Sequence, residues 1–236
     1  MKVLITGASS GIGLAITREY INHGWDIIAQ FKRNSNELSL IENIYPNRIT
    51  LVNIDFDQEC DLEDILRPHL LESIEIDAFI NCVGLYEPLK FSKINSNAIL
   101  RHFKVNVLSG LLIQKMILEN MKKNSWGRIV NIGSIGVKYG GGGSYPYSLS
   151  KYAQEFITSD YREWALSNIF INTIRAGVVD TKIHNLDPKK NMEARLAKIP
   201  IGRMCQPEEI AKMAHYLGSN ENTAITGQTI AVTGGE

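Results

Sequence analysis

The chain has 236 residues, 44% hydrophobic and 21% charged, which is enough for one domain with a full core and short for two. Its 25 basic residues balance 25 acidic ones, so charge gives no argument for binding nucleic acid or an anionic membrane. The three cysteines, Cys60, Cys82 and Cys205, lack C-x-x-C spacing and favour reduced thiols in the cytoplasm over a disulfide framework or a metal site. No apolar run approaches about eighteen residues, and the chain opens directly on a strand pattern, so we expect neither a membrane span nor a signal peptide.

A glycine-rich segment follows the first apolar run, residues 3–6. Gly7, Gly11 and Gly13 lie where this run passes into a helical pattern with Ile12, Ile16, Tyr20 and Ile21 on one side. Glycines at a strand-to-helix turn let backbone N–H groups approach a pyrophosphate at the helix N-terminus, where the dipole favours negative charge. Such a turn is a weak signal alone, but its place after the first strand of an alternating β/α chain predicts a dinucleotide site.

The next two predicted strands end in charged residues. Residues 26–31 end without the acidic residue that grips a ribose 2′-hydroxyl in dinucleotide folds. Lys32 and Arg33 stand there instead and suit a 2′-phosphate, which favours NADP(H) over NAD(H) without excluding the latter; the alternative is a solvated basic turn. Residues 48–54 end at Asp55, whose carboxylate can accept a hydrogen bond from an adenine amino group.

Two asparagines occupy otherwise apolar segments. Asn81 lies in a fourth predicted strand, residues 76–83, just before Gly84. Asn106 lies in a long helical pattern over residues 96–121. A buried asparagine more often ties backbone groups together than performs chemistry, so the pattern alone makes neither residue a site.

Tyr147 and Lys151 form the most informative pair. They are four positions apart in a helical pattern that opens at Pro146 and runs to about residue 166, so both lie on one face. A nearby ammonium would lower the phenol pKa from about 10 and let it exchange a proton with an alcohol or carbonyl oxygen. The spacing is common by chance, and the alternative is an ordinary surface pair. Ser134 lies upstream of the pair, directly after the fifth predicted strand.

The remaining pattern continues the alternation, with strands over residues 127–132, 169–174 and 228–232, a helix over 208–217, and an irregular, partly helical segment over 182–200. Strands and helices alternating at about 25-residue spacing predict an α/β fold, a doubly wound parallel sheet (Rossmann-like) of about seven strands with helices on both faces. We expect residues 1–236 to form one domain whose ligands bind at the carboxyl ends of the strands, with residues 182–200 as a lid over the substrate.

The chain resembles the short-chain dehydrogenase/reductase family along essentially its whole length, through Gly7, Gly11, Gly13, Asn81, Asn106, Ser134, Tyr147 and Lys151 in this order. The opening Thr-Gly-x-x-x-Gly-x-Gly and the Tyr-x-x-x-Lys are specific in combination. The resemblance implies an enzyme in which Tyr147 is the general acid/base and Ser134 holds the substrate oxygen. It also implies that Lys151 lowers the Tyr147 pKa and binds the nicotinamide ribose, and that Asn106 holds a water for proton return.

The resemblance further implies the cofactor contacts and no metal. They are Gly7, Ser10, Gly11, Ile12 and Gly13 at the phosphates, Lys32 and Arg33 at the 2′-phosphate, Asp55 at the adenine, Asn81 on the adenosine side, Gly84 against the cofactor, and Val178 and Thr181 at the nicotinamide carboxamide. Two positions depart from the family pattern. Ala176 replaces a proline, which makes the contacts of Val178 and Thr181 less certain, and Thr233 replaces an aspartate near the end of the chain.

Within the family, residues 199–203 and 207–211 look most like the 3-oxoacyl-acyl-carrier-protein reductases of fatty acid biosynthesis. That similarity implies NADP(H)-dependent reduction of a 3-oxoacyl thioester on a small molecule or an acyl carrier, with Lys189, Lys190 and Arg195 as candidate carrier contacts. Reductases of sugars, polyols and other small ketones share these segments and are the alternative. A non-catalytic cofactor-binding regulator is less favoured, because such relatives lose the Tyr or Lys. A longer sugar-nucleotide epimerase would need a larger C-terminal region. The family also implies a homotetramer built on the helices over 96–121 and 147–166.

Overall fold

A seven-stranded parallel sheet forms the centre of the protein. The computed structural model describes residues 1–59, 61–69, 75–139, 143–157, 159–186 and 191–236, so Cys60, Lys189 and Lys190 lie outside the described residues. The strands are β1 (Lys2–Ile5), β2 (Asp26–Phe31), β3 (Ile49–Asn53), β4 (Ala78–Asn81), β5 (Gly127–Ser134), β6 (Ile169–Ala176) and β7 (Thr229–Val232). Their order is β3-β2-β1-β4-β5-β6-β7, and every neighbouring pair is parallel.

Helices connect these strands. They are α1 (Gly11–Asn22), α2 (Asn36–Ile44), α3 (Leu62–Leu66), α4 (Ser96–Phe103), α5 (Ser109–Asn124), α6 (Gly136–Tyr139), α7 (Tyr145–Gln154), α8 (Tyr161–Leu166), α9 (Met192–Leu196) and α10 (Pro207–Leu217). A π-helical turn, Lys104–Leu108, joins α4 to α5, and short 3-10 segments span Arg67–His69, Phe91–Lys93 and Lys182–Leu186. Within the described ranges, no helix is both long and apolar enough to cross a lipid bilayer.

Successive side chains along the strands belong alternately to two separate apolar cores, one on each face of the sheet. In β1, Val3 and Ile5 belong to one apolar cluster, whereas Leu4 belongs to the other. The first cluster includes side chains of α1 and α10, and the second includes side chains of α3 and α5. Because a parallel sheet covered on both faces needs apolar residues on both, the strands read as nearly continuous hydrophobic runs. The predicted doubly wound α/β fold is confirmed.

The strand order reverses between β1 and β4. Connections leave the carboxyl ends of these two strands in opposite directions, and a crevice opens where they part. Gly7 follows β1 and Gly84 follows β4, so both predicted cofactor contacts reach this crevice. The topology therefore places the site before any side chain is considered.

Two predicted helices were wrong in extent. The helix expected over residues 96–121 is interrupted by the π-helical turn, which contains Asn106. The helix expected over residues 147–166 is two helices, because α7 ends at Gln154 and α8 begins at Tyr161. After Gln154 the backbone tightens into i→i+3 hydrogen bonds, and the Glu155 carboxylate pairs with a strand side chain. Hydrophobic periodicity continues across both interruptions, so it could not reveal them.

Candidate active site

One cleft of about 1700 Å³ runs along the carboxyl ends of the strands. It brings together most of the predicted site residues: Gly7, Ser10, Gly11, Ile12, Gly13, Lys32, Arg33, Asp55, Gly84, Ser134, Tyr147, Lys151, Val178 and Thr181. We call the part around Ser134, Tyr147 and Lys151 the inner end, and the part around Lys32, Arg33, Asp55 and Asp57 the outer end. The glycine-rich turn lies between β1 and α1 and forms another stretch of the wall.

The turn between β1 and α1 is closed so tightly that only glycine fits. Gly7 has φ +66°, and a Cβ on Gly13 would lie 2.1 Å from the Gly7 carbonyl oxygen. Ser10 is the N-cap of α1, but its side chain makes no capping hydrogen bond, and the first turn of α1 carries no acidic residue. The first N–H groups of α1 are thereby left for another acceptor, which suits an anion such as a phosphate.

Two side chains that the sequence did not single out hold this turn in place. Gln30 on β2 accepts a hydrogen bond from the Gly7 N–H at 2.9 Å and donates one to the Ile54 carbonyl at 2.6 Å. Thr6 accepts hydrogen bonds from the Cys82 and Val83 N–H groups at 3.0 and 3.2 Å. Both residues cross-link loops that follow adjacent strands. Their positions at strand ends were visible in the sequence, but their partners lie far away along the chain.

The outer end is an exposed cluster of charges. The Lys32 ammonium lies 3.0 Å from the Asp55 carboxylate and 3.7 Å from that of Asp57. Lys32 and Asp55 were predicted to meet the 2′-phosphate and the adenine, and in the structure they meet each other. Arg33 is exposed beside them and also lines the cleft, as does Arg18 from α1. A phosphate bound at this end would compete with Asp55 for the lysine.

Arg101 on α4 anchors the acidic side of the outer end. Its guanidinium donates to Asp57 at 2.7 Å and to Glu87 at 2.6 Å. The Arg101 hydrogen bond is the main reason that the pKa of Asp57 lies below its ordinary value, although partial burial opposes the shift. Asp57 therefore stays ionised and is already well paired. Lys32, Arg33 and Arg18 also line the cleft, so cations remain there for a phosphate.

The inner end is built from two neighbouring elements. Ser134 ends β5, and Tyr147 projects from the first turns of α7, so the Ser134 hydroxyl lies beside the phenol and favours its charged form. Tyr86, which follows β4, packs edge-on against the Tyr147 ring with centroids 5.1 Å apart. Removal from water raises the pKa of Tyr147, and the Ser134 hydrogen bond only partly offsets this. The phenol is therefore protonated at neutral pH.

Lys151 is buried one turn further along α7. It is 4% exposed, and its ammonium donates to the Ile132 carbonyl at 2.9 Å and to the Gln154 side-chain oxygen at 2.7 Å. Burial lowers the pKa of Lys151 from 10.5 to about 8, because these two contacts are to neutral oxygens and do not offset the loss of water. The expectation that Lys151 lowers the Tyr147 pKa is not met. Desolvation acts on both groups and moves both towards their neutral forms.

The two asparagines lie behind the cleft and do not line it. Asn81 is 1% exposed and donates to Asn131 at 3.0 Å, so its side chain faces the neighbouring strand, and its contact with a cofactor stays a prediction. Asn106 is fully buried and its amide bonds Leu85 N–H, the Leu85 carbonyl and Ser150. Both amides therefore order the loops that carry the inner end. The π-helical turn around Asn106 is a deviation often found at functional sites, and its role in proton return stays a prediction.

The remaining predicted contacts lie on the far wall. Val178 is buried and its carbonyl accepts from Cys205 N–H at 2.9 Å, which fixes the loop after β6. Thr181 approaches the glycine turn so closely that a Cβ on Gly11 would lie 3.1 Å from its methyl group. Ala176, where the family has proline, is the last residue of β6 and pairs with both Ser134 and Val232. Strand pairing thus holds the backbone that a proline ring would otherwise restrain.

The predicted lid segment is partly helical, as expected. Its arginine Arg195 on α9 makes a paired, charge-assisted contact with the Glu236 carboxylate, and both side chains line the cleft. Thr233, the second departure from the family pattern, donates to the Glu236 carbonyl at 3.1 Å. The end of the chain therefore contacts the segment predicted to be a lid, and its role as a lid stays a prediction. Arg195 is the candidate carrier contact that falls among the described residues.

The family model for short chain dehydrogenase matches residues 1–191 of this chain. The chain belongs to the short-chain dehydrogenase/reductase family. The family predicted from the motifs is confirmed, and with it the assignment to a family of oxidoreductases.

Members of this family with known names resemble the whole chain. The 3-oxoacyl-[acyl-carrier-protein] reductase of Pseudomonas aeruginosa is 31% identical over 239 residues, covering 98% of this chain and 95% of that protein. The crystal structure of a 3-oxoacyl (acyl-carrier-protein) reductase from Agrobacterium tumefaciens, with NADP bound, has a TM-score of 0.87 at 25% identity and covers 100% of this chain and 93% of that one.

A protein of Beutenbergia cavernae assigned as an NAD(P)-dependent gluconate 5-dehydrogenase, with NADP at low occupancy, has a TM-score of 0.88 at 23% identity. It covers 99% of this chain and 95% of its own and shows that the fold is shared. Solved structures with different assigned substrates thus match the backbone of this chain about equally well. The substrate must be argued from the site of this chain.

Proposed function

We propose that this chain is an NADP(H)-dependent reductase of a carbonyl compound, most like a 3-oxoacyl-thioester reductase. The observation that carries the proposal is the inner end, where Ser134 and Tyr147 lie together beside the buried Lys151 in the same cleft as the glycine turn. A surface pair at the same spacing would have neither the serine nor the cleft. The chance explanation of the Tyr147 and Lys151 spacing is therefore abandoned.

The proposed chemistry follows from the protonation states of Ser134 and Tyr147. The bound nicotinamide would supply the hydride for the carbonyl carbon. Ser134 would donate a hydrogen bond to the carbonyl oxygen and stabilise the charge that develops there. Tyr147 would then give its proton to that oxygen, and its raised pKa keeps the proton available at neutral pH. The cofactor-free protein is in this respect prepared for reduction more than for oxidation of an alcohol.

The residues of the cleft fit a dinucleotide. The uncapped start of α1 and the closed glycine turn suit the phosphates, through Gly7, Ser10, Gly11, Ile12 and Gly13. Lys32 and Arg33 suit a 2′-phosphate, with Asp55 left for the adenine once Lys32 has moved to the phosphate. The NADP bound in the Agrobacterium tumefaciens reductase supports the same choice for this chain. NADH remains the alternative reductant to be tested.

A 3-oxoacyl thioester is the substrate we favour. The support is the named reductase of Pseudomonas aeruginosa, together with the exposed Lys198 on the lid side of the cleft. Arg195 also lines this side, but it is paired with Glu236, so Lys198 is the cation that we expect an acidic acyl carrier to face. The second candidate is a reductase of a sugar, polyol or small ketone, favoured by the shared fold of the gluconate 5-dehydrogenase.

The test is NADPH consumption with acetoacetyl thioesters, keto sugars and simple ketones, with NADH run alongside. We expect the thioester to give the highest kcat/KM and NADPH to be preferred. Tyr147→Phe should lose about 10²–10⁴-fold in kcat, whereas Tyr152→Phe, an exposed tyrosine on the same helix, should not. Equal rates in wild type and Tyr147→Phe would refute the mechanism. NADPH binding without turnover of any carbonyl would favour the non-catalytic regulator instead.

We also propose that the protein is a homotetramer in the cytoplasm. Leu100, Leu111 and Tyr152 are 67%, 53% and 67% exposed, and these large side chains lie on α4, α5 and α7, the elements that replace the two predicted helices. Apolar side chains this exposed on a helix pair suit a contact with a second copy. Sedimentation of the wild type and of Leu111→Glu, which should dissociate the assembly, tests this; a monomeric wild type would contradict it.

A further inference from the structure

A buried amide adjoins the inner end without touching the cleft. Gln154 is the last residue of α7, three positions after Lys151, and is 5% exposed. We propose that Gln154 is a positioning residue that holds the Lys151 side chain in place and keeps it in the ammonium form. The role of Lys151 in turnover rests on the proposed function, whereas the Gln154 contact does not.

The contact is short and has only one chemically sensible orientation. The Lys151 Nζ donates to Gln154 Oε1 at 2.7 Å and to the Ile132 carbonyl at 2.9 Å. An ammonium has donors and no acceptor, so it must be the amide oxygen that faces it. The two oxygens, one from a side chain and one from β5, fix the end of the lysine side chain at two points.

The rest of the Gln154 side chain argues that its polarity serves Lys151. Among the described residues, the Gln154 Nε2 is buried and meets no hydrogen-bond partner. A buried N–H without a partner is unfavourable, and a methionine or leucine of similar volume would avoid it. The amide nevertheless occupies this position, and its oxygen accepts the hydrogen bond of the lysine. A residue needed only to fill the core would not carry an amide at this point.

Within the described part of the chain, the titratable groups around Lys151 offset the burial of its charge only in part. Cys82, which follows β4, has its pKa raised to about 12 by burial and is a neutral thiol at working pH. Glu155 follows α7 and favours the charged form of Lys151, although Arg175 on β6 already pairs with its carboxylate at 2.6 Å. Tyr147 on α7 is protonated at neutral pH. The neutral oxygens of Gln154 and Ile132 are the hydrogen-bond acceptors that face the ammonium directly, and burial opposes its charge.

Removal of the amide should therefore discharge Lys151 near neutral pH. The Ile132 carbonyl would then be the remaining acceptor of the ammonium. The titration midpoint of Lys151 should fall by about one pH unit, which is the effect of losing one hydrogen bond to a charged group. A glutamate at the same position should raise the titration midpoint of Lys151 by about one pH unit or more, because it adds a negative charge at the same distance. The two variants thus shift the same equilibrium in opposite directions.

The direct test titrates Lys151 in the cofactor-free protein. Lysine side chains labelled with carbon-13 are followed by NMR from pH 6 to 11, and the Lys151 signal is identified by its absence in Lys151→Met. We expect a lower midpoint in Gln154→Met and a higher one in Gln154→Glu than in wild type. Gln114→Met, which removes a buried amide on α5 that bonds Asn131, is the matched control and should leave the midpoint unchanged. One midpoint for wild type and both Gln154 variants would overturn the proposal.

The second arm measures the pH dependence of kcat/KM for NADPH-dependent reduction of the best carbonyl found. Activity should fall as pH rises through the Lys151 titration, so this limb should move down in Gln154→Met and up in Gln154→Glu. A limb that stays fixed while the NMR midpoint moves would overturn the role of Gln154 in turnover. If no carbonyl is reduced by wild type, the proposed function fails, and the NMR midpoints still decide the Gln154 contact. Should Gln154→Met not fold, the near-isosteric Gln154→Glu carries both arms.

Discussion

The inner and outer ends of the cleft hold their polar groups by different means. At the inner end, Lys151 and its partners are buried, and the ammonium donates to the neutral oxygens of Ile132 and Gln154. At the outer end, Lys32 is 47% exposed and pairs with the carboxylates of Asp55 and Asp57. One end uses fixed dipoles in a low dielectric, and the other uses charges in contact with water.

The difference separates what the two ends can control. Exposed ion pairs are weak and exchange partners readily, so Lys32 can leave Asp55 for a phosphate at little cost. Buried hydrogen bonds are costly to leave unmade, so the inner end keeps its geometry whether or not a ligand is present. We therefore expect changes at the inner end to affect the chemical step and changes at the outer end to affect the choice of cofactor.

The largest expected effect comes from the inner end. Ser134→Ala removes the hydroxyl that bonds Tyr147 and would hold the substrate oxygen, and we expect kcat to fall about 10²–10³-fold. Binding of NADPH should change little, because Ser134 is not among the proposed phosphate contacts. Ser219→Ala, which truncates a buried serine beyond α10, is the control and should keep full activity. A proportional loss of NADPH affinity and kcat would show that the two ends are not separate.

Gly13→Ala tests the turn that joins the two ends. The added Cβ would lie 2.1 Å from the Gly7 carbonyl oxygen, so the backbone must shift, and we expect a loss of about 3 kcal/mol in the free energy of unfolding. Helix propensity acts in the opposite direction by about 1 kcal/mol and should not compensate. Urea unfolding measures the change. Gly84→Ala, where the nearest atom is the Lys151 Nζ at 3.6 Å, is the matched control for stability and should be near neutral.

Lys151→Met should reveal the stability cost of the buried charge through pH. The folded pKa of about 8 lies below that of the unfolded lysine, so the charge destabilises the fold at pH 7, and this penalty is relieved as pH rises from about 8 to about 10. Between pH 7 and pH 10, we expect the free energy of unfolding of wild type to rise by about 2 kcal/mol relative to that of Lys151→Met. Urea unfolding at both values tests it. The exposed Lys123→Met should follow wild type, and a difference independent of pH would contradict the lowered pKa.

Much of the fold and of the site could be predicted because each depends on local patterns. The glycine-rich segment with Gly7 and Gly13 indicates a closed turn. The four-residue spacing of Tyr147 and Lys151 is enough to place them on one helix face. Alternation of strands and helices then fixes a parallel sheet with its ligands at one edge. These features need no knowledge of which distant residues meet.

What could not be predicted depends on partners far apart in sequence. Lys32 and Asp55 were assigned to a ligand, but the fold of β2 beside β3 brings them together. Asn81 was assigned to the cofactor, but it faces β5 and meets Asn131. The sign of the Tyr147 pKa shift depends on burial, which periodicity does not measure. Each of these features depends on a tertiary contact, whereas the break between α7 and α8 is a local feature that periodicity also missed.

The smallest expected effect belongs to the outer end. Lys32→Ala and Arg33→Ala should each raise the Kd of NADPH about tenfold, because each removes one solvent-exposed charge from a phosphate contact. The Kd of NADH, which lacks that phosphate, should stay the same, and kcat at saturating NADPH should also be unchanged. Fluorescence titration with both nucleotides measures this, with Lys123→Ala as the surface control. If the variants weakened the binding of NADPH and NADH equally, Lys32 would act through Asp55 and the loop after β3. The outer end would then support the structure of the cleft instead of selecting the cofactor.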